Sequence, residues 1–597
     1  MRILLYLLAF QLCCCQLLTA GPIRFRVETA NAANHYFQVS MHADSLKGAY
    51  TDFKIPVWMP GYYQVMDYPE NISDLTVTDN RGNALRWERA DRNTWRVYSG
   101  SADSVHLQYR VKATRRFVAS CYLDEKMGFV APTGLFLHPA GQTGRKVEVA
   151  VQLQPGWKLA TGLDSLSNHS LVADNFDILY DSPILMGELV SFPSFTVRGV
   201  PHYFVAWSPG SFDQAALMAD LKKVVEAAVA IFDDIPYRKY FFLGIGPGGG
   251  GIEHLNSTAV SFSGEGLDKP EGRRRMISFL AHEYFHHFNA KRIRPIELGP
   301  FDYDHGSRTR LLWVAEGVTT YYDELLLCRA GLITREELLQ SFTATIRRME
   351  SSPGRLFQSV TQASYDTWSD GPFGRTGDLV NKTVSYYEKG PVLALLLDFR
   401  LRHETAGLNG LDAVMRLLYN RYYREKGRGY TEAEFREACE QVAGCALDDF
   451  FGYVYTVAEP DYARYFGYAG LLIDTVNRPK PGSWTGIQPR LLSDTLQVST
   501  VAYESPAWYA GILPGSRLLA VNGKAVTRES WAALDNEPAG TIRHLELLLN
   551  GKKETRSLVT ATAYSRSFDW SPLASPGDLQ QRIWAGWPAD PSRRTKE

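Results

Sequence analysis

Between about residues 22 and 195, apolar and polar positions alternate over short runs, as in "IRFRVE", "YFQVSMHA", "LTVTD", "VHLQYRVKA" and "KVEVAVQLQ". A period of two is that of a strand with one buried face, and "MPGYY", "DNRGN" and "QPGW" supply turn residues between the runs. The pattern predicts an N-terminal antiparallel β domain over 21–195. Beyond it the period lengthens. "FDQAALMADLKKVVEAAVAIFDD", "GRRRMISFLAHEYFHHFNAKRI", "LLWVAEGVTTYYDELLLCRAG" and "GPVLALLLDFRLRHE" repeat apolar residues at helical spacing, so 196–465 reads as mainly helical. Strand-like runs return over 466–565 in "AGLLIDTV", "LQVSTV", "SRLLAVNG" and "HLELLLNG". The end of the chain, 566–597, mixes Pro, Ser, Arg and Asp and reads as a loosely held tail.

With 597 residues the chain exceeds what one hydrophobic core supports, so a multidomain α+β protein is expected. Its 45% hydrophobic and 12% aromatic content is that of a folded protein rather than a disordered one. Lys plus Arg (64) almost cancels Asp plus Glu (65), which gives no support for nucleic-acid binding or for a polybasic membrane surface. The first residues, "MRILLYLLAFQLCCCQLLTAG", carry one early Arg, an apolar run from Ile3 to Leu18, and small residues at Thr19, Ala20 and Gly21. That is the form of a signal peptide over 1–20, cleaved near Ala20, and the run is shorter than the roughly 20 residues of a membrane span. Export to a periplasmic or extracellular location is therefore expected, with no transmembrane segment after signal removal. Cys121, Cys328, Cys439 and Cys445 then remain, too scattered for a disulfide scaffold. Cys439 and Cys445 are close enough in sequence to pair, and two free thiols explain them equally well.

Two segments carry more specific information. "SPAWYAGILPGSRLLAVNGKAV", 505–526, resembles the part of a PDZ domain in which a short helix leads through a Pro-Gly turn into a strand and an Asn-Gly hairpin. A peptide or C-terminal tail is the partner such a PDZ-like domain implies, although the carboxylate-binding loop near "WTGIQ" matches weakly. The second segment is "AHEYFHHFN", 281–289, inside a predicted helix that Asp268 caps, with Glu271 three residues on, and that stops before Pro295. Four residues turn a helix by about 400°, which leaves His282 and His286 only ~40° apart on one face, able to bind one metal ion. His287 falls about 100° from His286 and packs elsewhere. Glu283 follows the first ligand directly, as in H-E-x-x-H zinc peptidases, where that carboxylate is the general base. Zinc needs a third protein ligand. Asn289 and Arg292 stand where a Gly and a third His would extend the motif, so that class is excluded. Glu316, a carboxylate inside the apolar run "LLWVAEGV", is the strongest remaining choice, with Glu297, Asp302, Asp304 and His305 as competitors.

Taken together, "GGGGIEH", "HEYFHH", "PFDYD", "LLWVAEG", "YYEKG" and "DDFFGYV", with "IPVWMPGYY" and "DSPILMG" in the leading β region, resemble the glycyl aminopeptidase family of zinc peptidases. The resemblance covers nearly the whole mature chain. It implies a thermolysin-like catalytic domain with one Zn2+ per chain on His282, His286 and Glu316, and Glu283 as base. It also implies an oxyanion donor at Tyr387, with Tyr386 as the fallback, because "SYYEKG" is similar to the Tyr-x-Lys-Gly phrase of related aminopeptidases. An aminopeptidase must recognise a free amine as well. "GPGGGGIEHLNS" serves if it is an edge strand in which Gly250 and Gly251 let a peptide backbone approach and Glu253 pairs with the α-ammonium. The expected substrates are peptides with a free N-terminus, small residues such as Gly or Ala first. An endopeptidase, or a PDZ adaptor with a structural zinc, are the competing readings.

Overall fold

The computed structural model describes residues 21–589 apart from 47, 168, 371–376 and 493–494. The predicted signal peptide lies outside the described residues, as do 590–597. The N-terminal domain is built on a seven-stranded sheet with the order Asp164–Ser167, Ser170–Ala173, Val147–Gln152, Ile23–Asn31, Tyr36–Asp44, Ser104–Lys112, Ile72–Asp79. All neighbours are antiparallel except Ile23–Asn31 and Val147–Gln152, which run parallel. The alternation read from sequence is the alternation of burial: Ile23, Phe25 and Val27 are buried, while Arg24 and Arg26 face solvent. Smaller five- and four-stranded sheets complete the domain around Phe37, Val39, Leu107, Val149 and Leu185.

The helical region rests on a sheet of its own, with strands ordered Leu189–Ser191, Val200–Trp207, Tyr240–Gly244, Ser257–Val260, Gly251–Glu253. The first of these precedes residue 196, the boundary expected from sequence. Two central pairs are parallel, and Gly251–Glu253 closes the sheet as an antiparallel edge strand. Both faces of this sheet are covered. Val205, Leu243, Ile245, Ile252 and Ala259 enter the core of the N-terminal domain, while Phe204, Ala206, Phe242 and Val260 enter the helical core. One sheet therefore joins the two domains and brings the N-terminal loop 56–66 over its edge strand. The helices follow their sequence signals. Gln214–Phe232 buries Leu217, Leu221, Val224, Val225, Ala228 and Phe232 on one side, and Asp213 caps it by accepting from the Ala216 N–H.

The motif helix differs from expectation at both ends. It runs Pro270–Phe285, with Lys269 at the cap position and no side-chain cap, so Asp268 does not cap it. Pro270 takes the first helical position, where the missing N–H costs nothing. The chain leaves the helix well before Pro295 because Asn289 is tied to another helix, donating to the Val314 and Ala315 carbonyls and to Thr319 Oγ1. Ala290 then adopts φ 124°, a left-handed turn in a residue with a Cβ. His286 keeps its helical bond to the His282 carbonyl at 3.2 Å, so the two histidines stay one turn apart.

The C-terminal β domain has its own core of Leu496, Val498, Leu518, Trp531, Leu545 and Leu547. Its sheet is ordered Ile487–Leu492, Thr495–Val501, Arg517–Val521, Ile542–Leu549, Lys552–Val559, with the short helix Pro506–Tyr509 as expected. Asn522 and Gly523 both have positive φ, 51° and 77°, as the hairpin predicted there requires. The domain sits between the two sides of a stem in which Leu471–Ile473 pairs with Trp570–Pro572 and Arg478–Pro479 pairs with Tyr564–Ser565. The four described cysteines are free, which settles Cys439 and Cys445 as thiols.

The tail expectation fails over the described residues. After the stem the chain forms a helix, Asp578–Gly586, whose Ile583 and the following Trp587 are fully buried in the catalytic core. Trp587 donates its indole N–H to the Tyr321 hydroxyl at 2.8 Å, and Arg402 donates to the Gly586 and Trp587 carbonyls at 3.0 and 3.2 Å. Leu579, Ile583 and Trp587 recur every four residues, an apolar stripe hidden among Pro, Ser and Arg. Trp587→Ala is expected to destabilise the catalytic domain by about 3–5 kcal/mol, seen as a lower urea midpoint. An unchanged midpoint would return the segment to the status of a tail.

Candidate metal centre

His282, His286 and Glu316 converge, with one ligand atom of each within 4.8 Å of the others. The two Nε2 atoms are 2.9 Å apart, and Glu316 Oε2 lies 3.5 Å from His282 Nε2 and 3.2 Å from His286 Nε2. Ligands on a tetrahedral zinc are about 3.4 Å apart, given bonds of ~2.0–2.1 Å. The outer nitrogens are fixed. His282 Nδ1 faces Asp323 Oδ2 at 3.2 Å and His286 Nδ1 faces the Asn289 carbonyl at 2.9 Å, which assigns the protons to Nδ1 and turns the Nε2 lone pairs inward. Burial works against a charged His282, yet its bonds to Asp323 and Glu316 outweigh burial and push it up to about 10. With both Nε2 lone pairs turned inward, the two imidazoles and one carboxylate are a donor set that fits a divalent ion. Glu297, Asp302, Asp304 and His305 stand outside it: Glu297 accepts from Thr309, Asp302 faces His305, and Asp304 is held by Lys54 and Asn93.

Local structure explains how Glu316 arrives there. It lies on a π-helical turn, Trp313–Val318, that leads into the helix Thr319–Arg329. Asn289, from the loop after the motif helix, satisfies the carbonyls of Val314 and Ala315 on that turn. Gly317 meets Gly390 of the helix Tyr386–Glu404 so closely that a Cβ on either would lie 2.5–2.6 Å from the other's Cα. This contact sets Tyr387, at the start of that helix, beside the ligands. Its ring centroid is 6.3 Å from that of His282, and it hydrogen-bonds to Glu316. Burial and then the Glu316 charge hold its hydroxyl well above the usual tyrosine range, so it stays protonated. Tyr386, one residue earlier, takes a hydrogen bond from Thr367.

Glu283 is buried next to the ligands, and burial pushes its carboxyl up to about 7. Its Oε2 has no hydrogen-bond partner. Its Oε1 would lie 2.4 Å from a Cβ on Gly251, so glycine is required where the edge strand crosses this carboxylate. Gly250 has φ 96° and opens toward Phe117 and Val118, whose nearest atoms are 3.7 Å from where its Cβ would be. Glu253 follows on the same strand, 5% exposed, with Lys291 Nζ 3.6 Å from its Oε1. His287 is fully buried, bonded through Nδ1 to the Tyr284 carbonyl, and takes no part in the cluster.

The sequence reading missed what the N-terminal domain contributes. The Tyr63 hydroxyl donates to Glu316 Oε1 at 2.8 Å, on the oxygen that faces away from the histidines. Gly61, at φ 95°, presses its backbone on Glu253, since a Cβ there would lie 2.9 Å from both carboxylate oxygens. Pro60-Gly61 is a plain turn signal followed by two tyrosines, but nothing local links it to residues some 200 positions away.

The model of the Peptidase M61 N-terminal domain matches residues 24–188, that of the M61 glycyl aminopeptidase matches 275–393, and that of a PDZ domain matches 497–546. No curated protein matches the chain in sequence. Among solved structures, an aminopeptidase N family protein from Idiomarina loihiensis superposes with a TM-score of 0.85 at 25% identity, over 94% of this chain and 99% of that one. An M1 zinc metallopeptidase from Deinococcus radiodurans gives a TM-score of 0.46 at 11% identity, over 74% and 95%. The chain carries an M61 N-terminal domain, an M61 glycyl aminopeptidase domain and a C-terminal PDZ domain, and is a peptidase.

Proposed function

We propose that the protein is a zinc aminopeptidase that removes small residues, Gly or Ala, from peptides with a free N-terminus. The observation that carries this reading is the position of Glu283, buried without a partner on Oε2 between the His282, His286 and Glu316 cluster and the edge strand Gly251–Glu253. One zinc ion held by these three ligands would supply a Lewis acid that polarises the scissile carbonyl and makes a water acidic near neutral pH. Glu283, buried beside this cluster with Oε2 free of other partners, is placed to take the proton of the attacking water. Tyr387 donates its hydroxyl proton in a hydrogen bond to the developing oxyanion. Gly250 and Gly251 let the peptide backbone run along the open side of the edge strand, and Glu253 pairs with the α-ammonium and ends the site there. Tyr62 packs edge-on to Phe117 at 5.3 Å, the Phe117 ring approaches Gly250, and Gly61 approaches Glu253; in this reading these groups border the first side chain and restrict it to a small one.

Asp323 and Tyr63 belong to this reading as groups that orient ligands, His282 and Glu316 respectively. The PDZ domain offers the exposed edge strand Ile487–Leu492 to a peptide partner. Export is part of the proposal too. The first strand begins at Ile23, so cleavage near Ala20 leaves the fold intact.

Release of Gly- and Ala-anilides by the purified protein is expected to be abolished by a chelator and restored by zinc. Glu283→Gln should retain zinc and lose more than a thousandfold in kcat; unchanged turnover in this variant would sink the proposal. Tyr387→Phe is expected to lower kcat by about 10²–10³ with little change in KM. Acetylating the substrate amine should stop cleavage, whereas continued cleavage would favour an endopeptidase. In competition with a chromogenic chelator, Asp323→Asn is expected to weaken zinc binding by about 10–100-fold. Edman sequencing of secreted material should begin close to Gly21, and retention of the full N-terminus in the cytoplasm would remove the export reading.

A further inference from the structure

Three charged side chains are buried together behind the edge strand: Glu253 at 5% exposure, Lys291 at 8% and Asp181 at 7%. Lys291 Nζ donates to Asp181 Oδ1 at 2.8 Å and stands 3.6 Å from Glu253 Oε1. Asp181, which follows the last helix of the N-terminal domain, also accepts from the Leu255 N–H at 2.8 Å and faces His254 Nδ1 at 3.0 Å. The three groups therefore link the strand that holds Glu253, the loop after the motif helix, and the N-terminal domain.

We infer that Lys291 is a positioning residue that fixes the Glu253 carboxylate for the substrate ammonium, and that Asp181 of the N-terminal domain in turn fixes Lys291. The inference rests on Glu253 being the amine anchor. Its physical basis is the asymmetry of the two contacts. Lys291 is bound tightly to Asp181 and only loosely to Glu253, so it holds the carboxylate in place without using up its capacity for a second cation. Gly61 faces the same carboxylate, where a Cβ would stand 2.9 Å from both oxygens, so its lack of a side chain keeps that approach to Glu253 open. A buried lysine without partners is costly, and here two carboxylates offset that cost. The loop geometry is specific as well, since Lys291 directly follows Ala290 with its strained positive φ and bonds through its N–H to the His286 carbonyl at 3.1 Å. His254, with its Nδ1 on Asp181, gains a role as a brace for that aspartate.

The test compares two zinc-binding inhibitors that differ by an amine, glycine hydroxamate and acetohydroxamate, on the zinc-loaded full chain. Wild type is expected to bind the amine-bearing compound at least tenfold more tightly. Glu253→Gln should abolish that advantage. Lys291→Met should reduce it about tenfold and raise KM for Gly-anilide, with kcat within threefold of wild type and acetohydroxamate binding unchanged. Asp181→Asn should move the same ratio in the same direction. If Glu253→Gln keeps the wild-type ratio, the amine-anchor reading fails and this inference with it. If Glu253→Gln loses the ratio while Lys291→Met keeps it, the positioning role alone is overturned. Should Lys291→Met not fold, the double variant Lys291→Met/Asp181→Asn, which removes both buried charges, is expected to lose the advantage, and a wild-type ratio in it overturns the proposal.

Discussion

Glu316 is a carboxylate with 3% of its surface exposed, and burying such a charge without partners is prohibitively expensive. Much of the architecture around it follows from meeting that demand. Two histidines from one helix supply nitrogen donors, a tyrosine from another domain and a tyrosine from a third helix supply hydroxyls, and a π-helical turn directs the side chain toward them. The Gly317–Gly390 crossing exists because no residue with a Cβ allows these helices to approach so closely. A site assembled in this way is closed to bulk water on most sides, and electrostatic interactions inside it are correspondingly strong.

The second organising element is the sheet shared between domains. Because Ile252 and Ala259 belong to one core while Val260 belongs to the other, the edge strand cannot shift without disturbing both. The N-terminal β domain is thus part of the candidate site rather than an appendage to it. Gly61, Tyr63 and Asp181 each reach a residue that the peptidase domain presents.

What was legible in the sequence was what local spacing encodes. His282, Glu283 and His286 are fixed by a single helical turn, and the alternation in "IRFRVE" maps directly onto burial. Glu316 was legible because a lone carboxylate in an apolar run needs a reason. The Tyr63–Glu316 bond and the Asp181–Lys291 pair were not, since partners 253 and 110 positions apart leave no periodic trace. The helix end at Phe285 was misjudged because the force that ends it comes from Val314 and Ala315, through Asn289, and not from the nearby proline. The terminal segment was misjudged for a different reason: three apolar residues at helical spacing were outnumbered by polar neighbours, and composition averaged them away.

The return of the chain end to the catalytic core also bears on biosynthesis. Because the PDZ domain is threaded between Pro479 and Tyr564, the ribosome delivers it complete before the residues that finish the peptidase. Domains generally fold as units during synthesis, at about 5–20 residues per second. The PDZ fold is then available while the space for Trp587 between Tyr321, Phe342 and Phe399 is still open. A chain stopped before this point would carry His282, His286 and Glu316 yet lack Trp587, the hydrophobic wedge that fills the helical core beside Tyr321.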